Sequence, residues 1–234
     1  MKIDLFGDDI GSVEYISHMG SDLSIVNAAR VSFGSQKEEV EERDVKLIKY
    51  LMQHNHTSPF EHCVLTMRYT VPLFIRSQHH RHRTWSYNEI SRRYTSVDME
   101  FYNPPAFRTQ HKSNRQASNN QLIDPVLNSS YMSIGFESAS TAVKEHANRS
   151  LNLYNAMLDA GICREQARGV LPQNLYTQYY GTTNLHNLLK FINLRSHEGA
   201  QWEIQQVASA CLGIALKHFP IATEAYIEKH ISEK

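Results

Sequence analysis

The chain has 234 residues, with 24 basic and 24 acidic side chains and a pI near 7.2; this is length for one large domain, and it gives no global field to draw nucleic acid or an anionic membrane. Any anion must therefore be held by a local cluster of cations. No apolar run approaches the ~20 residues of a membrane-spanning helix, and the opening Met1-Lys2-Ile3-Asp4-Leu5-Phe6-Gly7-Asp8-Asp9 turns acidic where a signal peptide would be apolar, so a cytoplasmic protein is expected.

Residues 3–6 and 13–17 read as short strands around a glycine-containing turn. Ser21 then suits the cap of a helix whose apolar positions are Leu23, Val26, Ala29 and Val31. A charged helix over Glu41–His54 carries Val45, Ile48, Leu51 and Met52 at helical spacing. From His62 to Val71 the period changes to two, with Cys63, Leu65, Met67, Tyr69 and Val71 on one face, which predicts a half-buried strand. Pro72 suits a first helical turn, and a helix over Leu73–Arg83 would carry a basic cluster into a polar loop.

Residues 103–130 are rich in Asn, Gln, Ser and Pro and are expected to form a loop or lid excursion from a single domain. A long amphipathic helix is predicted from Tyr131 to Ala160, with Gly161 as the residue that stops it. Further helices are predicted over 163–170, 184–195, 201–218 and 221–230, with Asn184 as a cap and Pro220 opening the last. The aromatic, Thr-containing segment Asn174–Tyr180 reads as a strand. Cys63, Cys163 and Cys211 are odd in number and scattered, which argues against a disulfide framework or thiolate metal site; all three are read as small buried hydrophobes.

Chemistry concentrates in Arg81-His82-Arg83-Thr84-Trp85-Ser86-Tyr87-Asn88-Glu89-Ile90-Ser91-Arg92-Arg93-Tyr94. Arginines can bind phosphate bidentately, while Glu and Ser can orient a sugar or base, so the composition is that of an anionic-ligand pocket. Taken without regard to order, the same composition also fits a solvated basic turn. A zinc site drawn from His54, His56, His62, His79, His80 and His82 is the weaker alternative, because the candidate ligands sit among arginines and no His-Glu-x-x-His pattern occurs. An RNA-binding module gripping a strand with Trp85, Tyr87 and Tyr94 conflicts with zero net charge.

The order of residues in this stretch resembles the signature of flavin-dependent thymidylate synthases: Arg-His-Arg, seven residues, then Ser, continuing to Arg93-Tyr94. Ala29-Arg30-Val31-Ser32, His56-Thr57-Ser58-Pro59-Phe60-Glu61-His62, Glu100-Phe101-Tyr102, Val170-Leu171-Pro172 with Asn174-Leu175-Tyr176-Thr177, and Asn193-Leu194-Arg195 with Ala200-Gln201-Trp202-Glu203-Ile204 resemble further family blocks, in family order.

The resemblance implies an α+β fold with a mixed or antiparallel sheet flanked by long helices, assembled as a homotetramer with shared active sites. It implies methylation of dUMP with FAD, methylene-tetrahydrofolate and NADPH or NADH. For dUMP it points to Gln78, Arg81, Glu89, Ile90, Ser91, Arg92, Arg93, Arg168 and Arg195, with Arg195 activating the pyrimidine as the catalytic residue. For FAD it points to His56, Ser58, Arg81, His82, Arg83, Glu89, Asn184, Leu185, His186 and Lys190. No metal is implied. Lys190, Arg92 and Ser196-His197-Glu198-Gly199 depart from the family pattern at their positions. Ser91 lacks an identifiable base and is therefore read as a binding group rather than a nucleophile.

Overall fold

The computed structural model describes residues 1–96, 99–128 and 137–230, and the alternating segment Val64–Pro72 lies at the centre of a five-stranded antiparallel sheet. In chain order the elements are β1 (Lys2–Asp4), β2 (Ser12–Met19), α1 (Asp22–Arg30), α2 (Glu42–Gln53), β3 (Val64–Pro72), α3 (Leu73–His79) and β4 (Ser86–Glu89). The excursion follows as two small hairpins, β5 (Phe107–Gln110) with β6 (Ser118–Ile123) and β7 (Val126–Leu127) with β8 (Glu137–Ser138). The chain continues as α4 (Ala139–Asp159), α5 (Arg164–Ala167), β9 (Tyr176–Asn184), α6 (Leu185–Arg195), α7 (Trp202–His218) and α8 (Pro220–His230). Strand order in the main sheet is β1-β2-β3-β9-β4.

Period-two alternation divides the sheet into a dry and a wet face. Leu65, Met67, Tyr69 and Val71 are fully buried, and burying each side chain is worth roughly 1.5–3 kcal/mol. Opposite them, Thr66 bonds Thr182 across β3 and β9 at 2.9 Å and Arg68 pairs with Glu14 of β2. The dry face packs beneath α6 and α7, whose Ile192, Ile204, Val207, Cys211 and Ile214 are fully buried. Gly181 of β9 makes this packing close: a Cβ there would lie 2.9 Å from the Tyr69 ring and 3.3 Å from Trp85.

Caps set several boundaries. Asn55 takes a left-handed conformation (φ 57°) after α2, with its N–H on the Met52 carbonyl and that of His56 on Leu51. This is a Schellman motif, and it fixes where His56 leaves the helix. Gly161 ends α4 in the same way, as its sequence position indicates. The buried carboxylate of Asp22 accepts the Ile221 and Ala222 N–H groups at 3.0 Å, capping α8 from across the fold.

Some expectations need correction. The helix over Leu73–Arg83 stops at His79, because Trp85 is buried and Ser86–Glu89 joins the sheet beside β9. The strand expected over Asn174–Tyr180 runs instead over Tyr176–Asn184, its length matched to nine partners on β3. The helix expected from Tyr131 begins at Ala139, where the Ser138 hydroxyl accepts the Thr141 N–H; residues 131–136 of that expectation lie outside the described residues. Residues 163–170 form only the short α5 and a 3-10 turn. Val31, expected among the apolar positions of the first helix, lies just past α1 and is exposed, and Cys163 is exposed rather than buried.

Candidate functional site

The ladder between β4 and β9 ends at Glu89, and the Ile90 N–H still reaches the Gln178 carbonyl at 2.9 Å before the chain turns. That turn swings Ser91 and Arg92 over a cavity of about 270 Å³, lined also by Leu73 and Arg76 of α3, Arg168, and Tyr176 and Thr177 of β9. Glu89 accepts the Thr177 hydroxyl at 2.6 Å and lies 3.2 Å from Arg76 Nε, an ion pair in which the N–H is not aligned on the oxygen. Arg92 donates to the Tyr176 carbonyl at 3.4 Å and Arg168 Nε to the Glu165 carbonyl at 3.4 Å. Ser91 Oγ accepts the Arg93 N–H at 3.3 Å, and Arg93 reaches Glu165 at 3.3 Å. Three guanidinium groups against one engaged carboxylate leave this cavity net cationic.

A second basic cluster forms where α6 ends against the turn after α3. Arg195, the last residue of α6, donates from Nε to His82 Nε2 at 3.1 Å and from Nη2 to the Gln78 carbonyl at 3.3 Å. The Gln78 side chain in turn donates to Gln201 Oε1 at 2.6 Å. Burial, then the charges of Arg195 and Lys190, bring His82 from the usual 6.5 to about 4, so its ring is neutral at physiological pH. Burial also pulls Arg195 below the usual arginine range. Neighbouring His79 is fully buried among Tyr69, Trp85, Tyr179 and Phe191, bonded at 2.8 Å to the Tyr179 hydroxyl, and burial holds it strongly neutral.

A smaller cavity of about 170 Å³ opens between α2, α6 and α8, lined on its polar side by Asn55, Thr57, His186, Lys190, Asn193 and His230. Among the described residues no carboxylate lines it, so its chemistry fits an anionic group. Asn184 caps α6 by accepting the Asn187 N–H at 2.9 Å. Among the described residues, no three His, Cys, Asp or Glu side chains converge as metal ligands, and no helix is long and apolar enough to cross a membrane.

The model of the family described as "Thymidylate synthase complementing protein" matches residues 14–221. The chain belongs to this family. A flavin-dependent thymidylate synthase from Thermus thermophilus is 44% identical over 225 residues, covering 96% of this chain and 78% of the relative. One from Thermotoga neapolitana is 42% identical over 228 residues, covering 97% and 95%. Among solved structures, the UMP/dUMP methylase PolB from Streptomyces cacaoi bound with 5-Br dUMP is 31% identical with a TM-score of 0.79, covering 97% of this chain and 98% of that one.

In this thymidylate synthase complementing fold, the residues singled out by sequence divide into groups. Glu89, Ile90, Ser91, Arg92 and Arg168 line the larger cavity, with Arg93 beside Glu165. Gln78, His82 and Arg195 form the second cluster, and His186 and Lys190 line the smaller cavity. Arg81, Arg83, His56 and Ser58 are exposed and line neither cavity. The Leu185 side chain is core, and its N–H is spent on the Cys63 carbonyl at 2.8 Å. Sequence reasoning missed Arg76, Thr177 and Gln201 as site residues.

Proposed function

We propose that the chain converts dUMP to dTMP: methylene-tetrahydrofolate gives the carbon, NADPH or NADH gives the hydride by way of FAD, and tetrahydrofolate and oxidised nicotinamide leave. The observation that carries this reading is the folded signature segment, which puts Glu89, Ser91 and Arg92 with Arg168 on a cationic cavity while Arg195 is fastened to the turn holding Gln78 and His82. A nucleotide phosphate is an apt occupant for that cavity, since guanidinium groups pair with its oxygens bidentately. Glu89 and Ser91 orient the rest of the nucleotide, and Gln78 of the other cluster and the exposed Arg81 are the further nucleotide contacts we assign.

Bound FAD supplies hydride transfer, chemistry that no side chain offers. The cavity at Lys190 and His186, which no carboxylate lines among the described residues, is suited to its anionic part, with His56, Ser58, Arg81, His82, Arg83, Glu89, Asn184 and Leu185 as the further contacts we assign. Arg195 acts on the pyrimidine. A cation fixed beside the ring stabilises negative charge as it develops there.

A homotetramer with shared sites is part of the proposal. It is supported by the division of the nucleotide residues, because Gln78, Arg81 and Arg195 do not line the cavity that Arg168 lines. The decisive test is the absorbance spectrum of purified protein, followed by dTMP formation with all substrates and with each omitted in turn. Absence of bound flavin, or methylation without it, would refute the reading. Mixing Arg168→Ala with Arg195→Ala subunits tests sharing: recovered turnover supports sites built from different chains, and none argues for sites within one chain.

A further inference from the structure

We propose that His82 is a positioning residue for Arg195, its ring nitrogen accepting the arginine Nε–H and so deciding which edge of the guanidinium meets the pyrimidine. The inference rests on the role given to Arg195 above, but its geometry stands independently. A guanidinium has five N–H donors in a planar fork. One bond, Nη2 to the Gln78 carbonyl at 3.3 Å, would leave the plane free to rotate; the second, Nε to His82 Nε2 at 3.1 Å, fixes it. The Nη1 pair and the remaining Nη2 hydrogen make no hydrogen bond among the described residues and are left for a ligand.

The acceptor is itself held. His82 donates its own N–H to the His79 carbonyl at 3.0 Å, and its carbonyl accepts the Tyr87 hydroxyl at 3.3 Å. Its ring stands edge-on to Phe191, with centroids 4.9 Å apart. Arg195, by contrast, ends α6 and is followed by the exposed Ser196, His197 and Glu198, so the helix alone does not fix its side chain. Only a neutral imidazole with its proton on Nδ1 can accept from an arginine. The groups about the ring favour that form: Arg195 and Lys190 on α6 are cations, His79 on α3 is neutral, and Tyr87 on β4 contributes an uncharged hydroxyl.

The flavin-loaded protein tests this with His82→Ala, His82→Gln and Arg195→Ala. We expect His82→Ala to slow single-turnover flavin reoxidation at saturating dUMP by about tenfold or more, with little change in dUMP affinity, because a misdirected group loses rate rather than ground-state binding. His82→Gln places an oxygen acceptor near the same point and should recover most of the rate. As a readout independent of activity, the His82 ring followed by NMR should titrate near 4 in the parent and move toward the usual 6.5 in Arg195→Ala. A glutamine variant as slow as the alanine variant, or a His82 titration indifferent to Arg195, would overturn the proposal. If the parent protein made no dTMP, the functional reading would fall while the NMR arm still tested whether the Arg195 charge stands against the His82 ring.

Discussion

Arginines dominate both the cavity beneath β4 and the cluster at the end of α6, but the two regions manage their charge differently. In the cavity, Arg76 is beside Glu89, Arg92 donates to the Tyr176 carbonyl and Arg168 to that of Glu165. In the cluster, among the described residues Arg195 bonds only a neutral imidazole and a carbonyl, with Lys190 adding to the positive field. Cations already braced by acceptors suit a static anion such as phosphate. A half-buried cation without a carboxylate is more useful where charge appears only during reaction, because a pre-existing counter-ion would cancel it. On the proposed function the difference separates binding from activation, and substitutions on either side should show it.

The largest effect is expected from Arg195→Ala. Losing one preorganised charge donor costs about 10²–10³ in rate, so flavin reoxidation at saturating dUMP should fall by that order while nucleotide affinity changes much less. Lysine at 195 keeps the charge without the fork and should restore only part of the rate. If Arg195→Ala weakened affinity alone, the contrast between the regions would collapse.

Arg168→Ala should behave in the opposite manner. A hydrogen bond to a charged group is worth roughly 1.5–3 kcal/mol, which is about 10- to 150-fold in dUMP affinity by titration. The saturated rate should be nearly unchanged. Ser91→Ala, which removes one neutral hydroxyl, should cost roughly 0.5–1.5 kcal/mol of nucleotide binding and leave measurable turnover. Abolished turnover with folding and flavin content intact would instead make Ser91 a nucleophile.

A last effect, on stability rather than turnover, concerns acid. His82 is depressed in the folded state from 6.5 to about 4, so the unfolded chain binds the extra proton first as pH falls. Stability present above pH 6.5 should therefore be lost progressively between about 6.5 and 4. Thermal melting across that window should fall in the parent and decline less steeply in His82→Gln. Equal slopes would place the titrating groups elsewhere, buried His79 being the first alternative.

The same contrast governs how much could be read beforehand. Cys63, Leu65, Met67, Tyr69 and Val71 announce β3 because alternation is a property of adjacent residues. Asn184 and Gly161 likewise reveal local boundaries through side-chain capping and left-handed backbone. The strand Ser86–Glu89 was hidden because its basic and polar surroundings read as loop, although Trp85 and Tyr87 at period two were a usable signal. Exposure of Cys163 was not legible either. Whether a small apolar side chain is covered depends on what packs over it, and α5 is too short to bury its flank.

For the site, residue order within the signature and the blocks around it was enough to identify the family, and with it the set of arginines, Glu89 and Ser91 worth examining. Composition and pattern also indicated most of the longer elements, since periodicity, caps and turns act over a few residues, but not β4 or the small hairpins of the excursion. Only the tertiary structure decided the pairings: Arg195 with His82 across 113 residues, Gln78 with Gln201 across 123, and Glu89 with Thr177 across 88. These contacts depend on the register of β4 against β9 and on the packing of α6 over the sheet. Such long-range geometry is set by the burial of the whole core, which no local pattern encodes.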